Sequence, residues 1–158
     1  MKNSMLRHLP THGADWRPAL YPIVVLAFVA CLGGCGNPHG TVKVTGRVTV
    51  DGEAPPGEGT ITFTVVEPED GFPSRPAMAR FGKDGTYSTT TYDPGDGLLP
   101  GTYKVAVECY ETAPNMEGIP VKSFIDSKFI NGDTSGLELT VKSGSKPIEF
   151  NIDVTKGT

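Results

Sequence analysis

From residue 42 onward the chain alternates between apolar and polar positions. Val42, Val44, Val48 and Val50 share one parity, and Lys43, Thr45, Arg47 and Thr49 share the other. A period of two places each set on its own face of a half-buried strand. Gly46 interrupts the run and predicts a bend or bulge, and Asp51-Gly52 reads as a tight turn. Glu53 to Gly59 is a loop by its Pro and Gly content. A second strand follows, with Ile61, Phe63 and Val65 against Thr60, Thr62 and Thr64. Residues 67 to 76 are acidic and Pro-rich and read as a loop. Ala77, Ala79 and Phe81, then Lys83-Asp84-Gly85, then Tyr87, Thr89 and Thr91 predict a hairpin over 77–91.

The turn-rich stretch Asp93 to Gly101 leads into the clearest strand, with Tyr103, Val105, Val107 and Cys109 against Lys104, Ala106 and Glu108. Leu137, Leu139 and Val141 form a sixth strand, Ser143 to Ser145 a turn, and Ile148, Phe150, Ile152 and Val154 a seventh. No stretch after residue 34 has a convincing helical period. Seven short alternating strands separated by turn clusters predict an all-β fold, a single seven-stranded antiparallel β-sandwich over residues 42–156. Its core should draw about twenty inward side chains from two packed sheets, enough to fold without disulfides.

The first segment has a different character. Lys2, Arg7 and Arg17 precede an apolar run from Ile23 to Leu32, which closes in Gly33-Gly34-Cys35-Gly36. A cationic start, a short apolar middle and small residues at the end are the layout of a cleaved export signal over residues 1–34. A membrane-spanning helix needs about 20 apolar residues, and this run, bounded by Pro22 and two glycines, is too short for a comfortable span. Leu32-Gly33-Gly34-Cys35 resembles the lipobox of bacterial lipoproteins. The resemblance implies that the Cys35 thiol carries a diacylglycerol, that the signal is cut before it, and that residues 35–41 tether the domain to the lipid. Two or more acyl chains anchor stably where one does not. Gly36 stands where an Asp, in the best-known sorting scheme, retains lipoproteins at the inner membrane. Its presence implies outward sorting to the outer membrane of the cell envelope.

Charge and cysteine usage narrow the function classes. Loss of residues 1–34 removes three of 14 basic and one of 18 acidic residues, leaving 11 against 17 and a net charge of −6. No basic run remains to neutralise phosphates, which argues against nucleic acid as a partner. Cys31 leaves with the signal and Cys35 carries lipid, so Cys109 is the last thiol and neither a disulfide nor a cysteine zinc site can be built.

Four motifs inside the domain resemble carboxypeptidase regulatory-like domains, members of the transthyretin-like (prealbumin-like) sandwiches. Val44 to Gly52 is similar to their opening strand and turn. Lys83-Asp84-Gly85-Thr86-Tyr87 is similar to their D-G-x-(Y/F) turn, and Leu99-Pro100-Gly101-Thr102-Tyr103-Lys104-Val105 to their L-P-G-x-Y-x-V strand start. Residues 128–144, with Asp133 to Leu137 and Val141 to Gly144, are similar to the end of bacterial lipoproteins carrying this domain. The resemblance, over about residues 44–154, implies a seven-stranded sandwich with an accessory, adhesive or structural role. Plain physics also assigns Gly85 and Gly101 to turns of unusual φ and Tyr103 to the core boundary, its hydroxyl reaching a backbone partner.

Candidate chemistry is sparse. The hydroxyisourate hydrolases of the transthyretin-like superfamily use histidine and arginine and end in Tyr-Arg-Gly-Ser. Here His8 and His12 fall in the signal, His39 in the tether, and the chain ends Val154 to Thr158. An isopeptide crosslink would need an inward Lys43 near Asn151 or Asp153 and Glu108, yet parity turns all four outward. The carboxylate clusters Asp93/Asp96 and Glu67/Glu69/Asp70 lack the alternating oxygen ligands of a calcium loop. Cys109 shares its face with Val105 and Val107 and has no histidine to activate it. No catalytic, cofactor or metal residue is therefore assigned.

The segment 111–131 stands apart, because it lacks strand period yet carries Met116, Ile119, Phe124 and Phe129. Long loops in small domains are often functional, so these four are the candidate partner surface. The alternative is that the segment tucks over a sandwich edge or forms a short helical turn. The function expected is a non-enzymatic envelope lipoprotein that binds a protein or glycan partner or contributes structure. A small-ligand carrier with a pocket near 111–131, and an undetected hydrolase, are the alternatives.

Overall fold

The computed structural model describes residues 38–112 and 121–157, which belong to one compact unit. Its strands are β1 (Val44–Val50), β2 (Gly59–Pro68), β3 (Ala77–Phe81), β4 (Thr86–Thr90), β5 (Gly101–Cys109), β6 (Glu138–Val141), β7 (Ile148–Glu149) and β8 (Ile152–Val154). They join in one sheet in the order β6-β5-β2-β3-β4-β1-β7, with β8 also paired to β1. The fold is all-β, as expected.

The alternation sorts the side chains as the sequence implies. In β5, Tyr103, Val105, Val107 and Cys109 are buried and the residues between them are half-buried. Inward residues of β1, β2, β3, β4, β5, β6 and β8 meet in one apolar cluster, so the sheet curls to bring distant strands onto a common core. Phe63 of β2 lies 6.4 Å from the Tyr87 ring and 6.5 Å, edge-on, from the Tyr103 ring. Burying one such aromatic side chain stabilises the fold by about 1.5–3 kcal/mol.

The pairing is mixed rather than wholly antiparallel. Both β7 and β8 run parallel to β1, where one continuous antiparallel seventh strand was expected. That strand breaks at Phe150-Asn151 although its register with β1 is the same on both sides. Gly46 explains the break. A Cβ there would lie 2.0 Å from the Phe150 carbonyl oxygen, so only glycine lets that carbonyl approach. The carbonyl accepts a hydrogen bond from the Tyr87 hydroxyl instead of a ladder amide. Asn151 then repairs the ladder with its side chain, accepting from the Arg47 amide at 2.9 Å. A second irregularity lies in β2, where the register against β5 shifts between Val65 and Glu67. Val66, half-exposed, keeps the outward parity of Thr62 and Thr64, and the alternation ends at Glu67, which is exposed where an inward residue would fall.

Two short helical elements lie between β5 and β6, the first within segment 111–131, where a short helical turn was one alternative, and the second beyond it. A 3₁₀ turn covers Ser127–Ile130, and α1 covers Gly132–Ser135. The Asn131 side chain caps α1 by accepting from the Asp133 amide, and Gly136 ends it at φ 69°. Lys104 of β5 holds this pair through an ion pair to Asp133 at 2.8 Å. Among the described residues no helix is long and apolar enough to cross a membrane. Cys35 and the signal expected at 1–34 lie outside the described residues.

Candidate binding face

Strand direction gives the unit two ends. β1, β3, β5 and β7 begin at one end, where β2, β4 and β6 finish. The chain reaches this end from residue 38, and we call it the tether end after the tether expected at residues 35–41. The far end gathers the finish of β1, β5 and β8 with the loop before β2.

At the far end a type I′-like turn closes β1. Asp51 and Gly52 sit at φ 54° and 80°, and Val50 and Glu53 exchange both backbone hydrogen bonds at 2.9 and 3.1 Å. Asp153 fixes the turn by accepting from the Thr49 hydroxyl at 2.6 Å and the Gly52 amide at 3.0 Å. These two bonds hold its carboxyl below the usual aspartate range.

Segment 121–126 threads between the end of β5 and the C-terminal residues. The Phe124 amide donates to the Cys109 carbonyl at 2.8 Å, and its own carbonyl accepts from Gly157 at 3.0 Å. Glu111 and Lys122 form an exposed ion pair at 3.3 Å. The result is a recess of about 470 Å³, lined among others by Ala54, Pro56, Glu111, Lys122, Phe124 and Lys156. Its lining is mixed: Val50, Ala54, Pro56 and Phe124 are apolar, and Glu53, Glu111, Lys122 and Lys156 carry both signs of charge.

The candidate partner residues separate here. Phe124 is half-buried and lines the recess, with Gly57 and Cys109 against it. Phe129 is only 5% exposed and belongs to the core, so in this conformation its ring offers no surface to a partner. Ile125 is buried beside it. Met116 and Ile119 lie outside the described residues. From residue 121 onward the segment therefore tucks against the sheet and forms a helical turn, one of the two alternatives its composition left open. Sequence reasoning missed Ala54, Pro56, Glu111, Lys122 and Lys156 as neighbours of Phe124, because no local pattern marks residues brought together from separate loops.

Cys109 and Asp96 have structural partners. Cys109 is buried, its Sγ lies 3.6 Å from the Glu58 carbonyl oxygen, and desolvation raises its thiol pKa. Asp96 accepts from the Thr91 and Tyr92 amides at 2.8 and 3.0 Å. Lys43, Asn151 and Asp153 are exposed and Glu108 half-buried, as parity indicated. Among the described residues no three His, Cys, Asp or Glu side chains gather as a metal site would need.

No protein-family model, curated protein or solved structure matches the chain. The reading of the site therefore stands on its own geometry.

The tether end is built differently. Val42 and Leu98 exchange backbone hydrogen bonds at 2.7 and 2.9 Å, and the Thr41 hydroxyl donates to the Asp96 carbonyl at 2.7 Å. The His39 ring stacks on Tyr92 at 4.1 Å, and the Arg75 guanidinium lies 4.4 Å from the same ring centroid. Phe72 packs over Gly40, where a Cβ would lie 3.1 Å from its ring. Behind this, the Tyr103 hydroxyl donates to the Leu99 carbonyl at 2.8 Å, closing a tyrosine corner.

Proposed function

We propose that the chain is an exported, non-enzymatic lipoprotein of the bacterial cell envelope. Lipid on Cys35 anchors it, and its domain acts as a binding or structural module for a protein or glycan partner. The observation that carries the reading is the position of the lipobox-like Leu32-Gly33-Gly34-Cys35, nine residues before β1 begins at Val44. A leader of that form has no structural use in a β domain, whereas it delivers one to a membrane.

The far-end recess supports a binding role through its mixed apolar and two-signed lining and its assembly from several loops held by rigid strands. The finer fold reading goes with it. We take the curled sheet as two facing layers of the transthyretin-like plan, on the strength of the tyrosine corner and the Gly85 turn. Gly85 has φ 76° and lies so close to the Val48 carbonyl that a Cβ would stand 2.2 Å away.

A photoreactive residue at Ala54, compared with one at exposed Thr64, tests the reading in cells. The account expects a discrete adduct from position 54 alone, lost in Cys35→Ala. A Cys35→Ala protein that still fractionates with membrane and keeps residues 1–34 overturns the anchoring. Equal adducts from both positions overturn the far-end site.

A further inference from the structure

The described part of the segment expected to be a tether, residues 38–41, is docked on the sheet. Residues 38–41 are held by the Val42–Leu98 bridge, the Thr41 hydroxyl bond, the His39–Tyr92 stack and Phe72 over Gly40. Only Gly36 and Asn37 separate Cys35 from Pro38 in the sequence. Three residues of fully extended chain reach about 10 Å at most.

We propose that the tether end of the domain rests on the phospholipid headgroup layer. This rests on the Cys35 anchor proposed above. Acyl chains on Cys35 place its sulfur at the boundary between hydrocarbon and headgroups. The headgroup region of one leaflet is about 5–8 Å deep, half the difference between the total and hydrocarbon thicknesses of a bilayer. Pro38 therefore lies within that region or at its outer surface. The loops beside it, 69–76 and 91–100, lie on the same end of the sheet and meet the headgroups with it.

The side chains there suit that setting. Phe72 and Tyr92 are half-buried rings beside the docked tether, and Arg75 is exposed over Tyr92. A Tyr ring, with one apolar and one wet edge, and Arg, with its long stem, settle at membrane interfaces. Net charge does not drive the contact. The cations Lys43, Arg75, Lys142 and Lys146 are matched by as many carboxylates in loops 69–76 and 91–100. Tether length is the cause, so the contact should not weaken with salt in the way an electrostatic one does.

The consequence is an orientation. β1 has seven residues, and at 3.3 Å per residue it lifts the far-end recess about 20 Å off the headgroups. The recess then faces away from the membrane.

Trp16 is the single tryptophan and leaves with the signal, so an introduced tryptophan is a unique reporter. Ser74→Trp marks the tether end and Lys83→Trp the far end; both positions are exposed. The lipidated protein, purified from membranes, is placed in phosphatidylcholine vesicles containing a lipid with a nitroxide on its headgroup. Ser74→Trp should lose at least half of its emission and Lys83→Trp almost none, in low and high salt alike. Insertion of a Gly-Ser spacer between Gly36 and Asn37 should relieve the quenching at position 74 while the protein still floats with the vesicles. Flotation with equal quenching at both positions, or quenching at 83 alone, overturns the orientation and leaves the anchor standing. Protein that fails to float overturns the anchor and the orientation with it.

Discussion

The two ends of this domain are held together by different means. At the tether end, backbone meets backbone. The Val42–Leu98 bridge and the Tyr103 hydroxyl on Leu99 fix positions that tolerate little side-chain change. At the far end, loops from four parts of the chain meet through Phe124, Lys122 and Gly157, with few buried side chains at the recess itself. The contrast teaches where stability and specificity reside. A rigid end can transmit an anchor's position, and a loop-built end can change its chemistry without unfolding the sheet.

The largest expected effect is at Gly97. It has φ 108°, and a Cβ would lie 2.1 Å from the Val42 carbonyl. Gly97→Ala should destabilise the domain by about 3 kcal/mol, from the left-handed backbone and the forced shift together. It should also free residues 38–41, seen as faster amide exchange of Val42 and Leu98. If exchange is unchanged, the tether end is not the rigid end. Next is Phe124→Ala at the far end. Its half-buried ring should cost about 2 kcal/mol, below the usual range for a fully buried Phe. Amide exchange at Val42 should stay as in the parent protein. Transmission of the change to Val42 would erase the contrast.

Tyr103→Phe should cost about 1 kcal/mol by orphaning the buried Leu99 carbonyl. Burial pushes the Tyr103 hydroxyl up to about 12. A raised folded-state value means its contribution is intact below about pH 10, where unfolded tyrosine begins to ionise, and falls as pH rises through 12. Thermal melts between those limits should therefore show less alkaline loss in Tyr103→Phe than in the parent. The smallest effect is at Asp153, whose lowered carboxyl pins the exposed far-end turn. Its contribution is present above about pH 4 and is lost as pH falls through the depressed folded value. Asp153→Asn should remove part of the acid sensitivity and change the melt little at neutral pH. A large loss at neutral pH would show that the turn carries core stability.

What the sequence displayed was local. Alternation placed Val44, Val48, Ile61, Phe63, Val105 and Val107 inward, and each is buried. Asp51-Gly52 marked a turn because its φ requirement lies within two residues. Tyr103 was legible because its partner is four residues away. Other features are non-local and left little trace. Phe150 continues the alternation perfectly, and only the approach of Gly46 and Tyr87 from β1 and β4 breaks the strand there. Parallel pairing of β7 and β8 depends on how the chain returns, which side-chain rhythm does not encode. Phe129 looked like a free apolar residue because a 3₁₀ turn hides its inward direction from a period-two reading. The far-end recess was visible only through Phe124, since Ala54, Pro56 and Lys156 have nothing in their neighbourhoods to join them.

The measurement that decides most is the intact mass of the protein extracted from membranes, with the N-terminal peptide sequenced by fragmentation. The account requires a chain beginning at Cys35 and carrying the mass of a diacylglycerol on sulfur, with or without a further acyl group on nitrogen. A chain that keeps residues 1–34, or begins elsewhere with an unmodified thiol at Cys35, contradicts it.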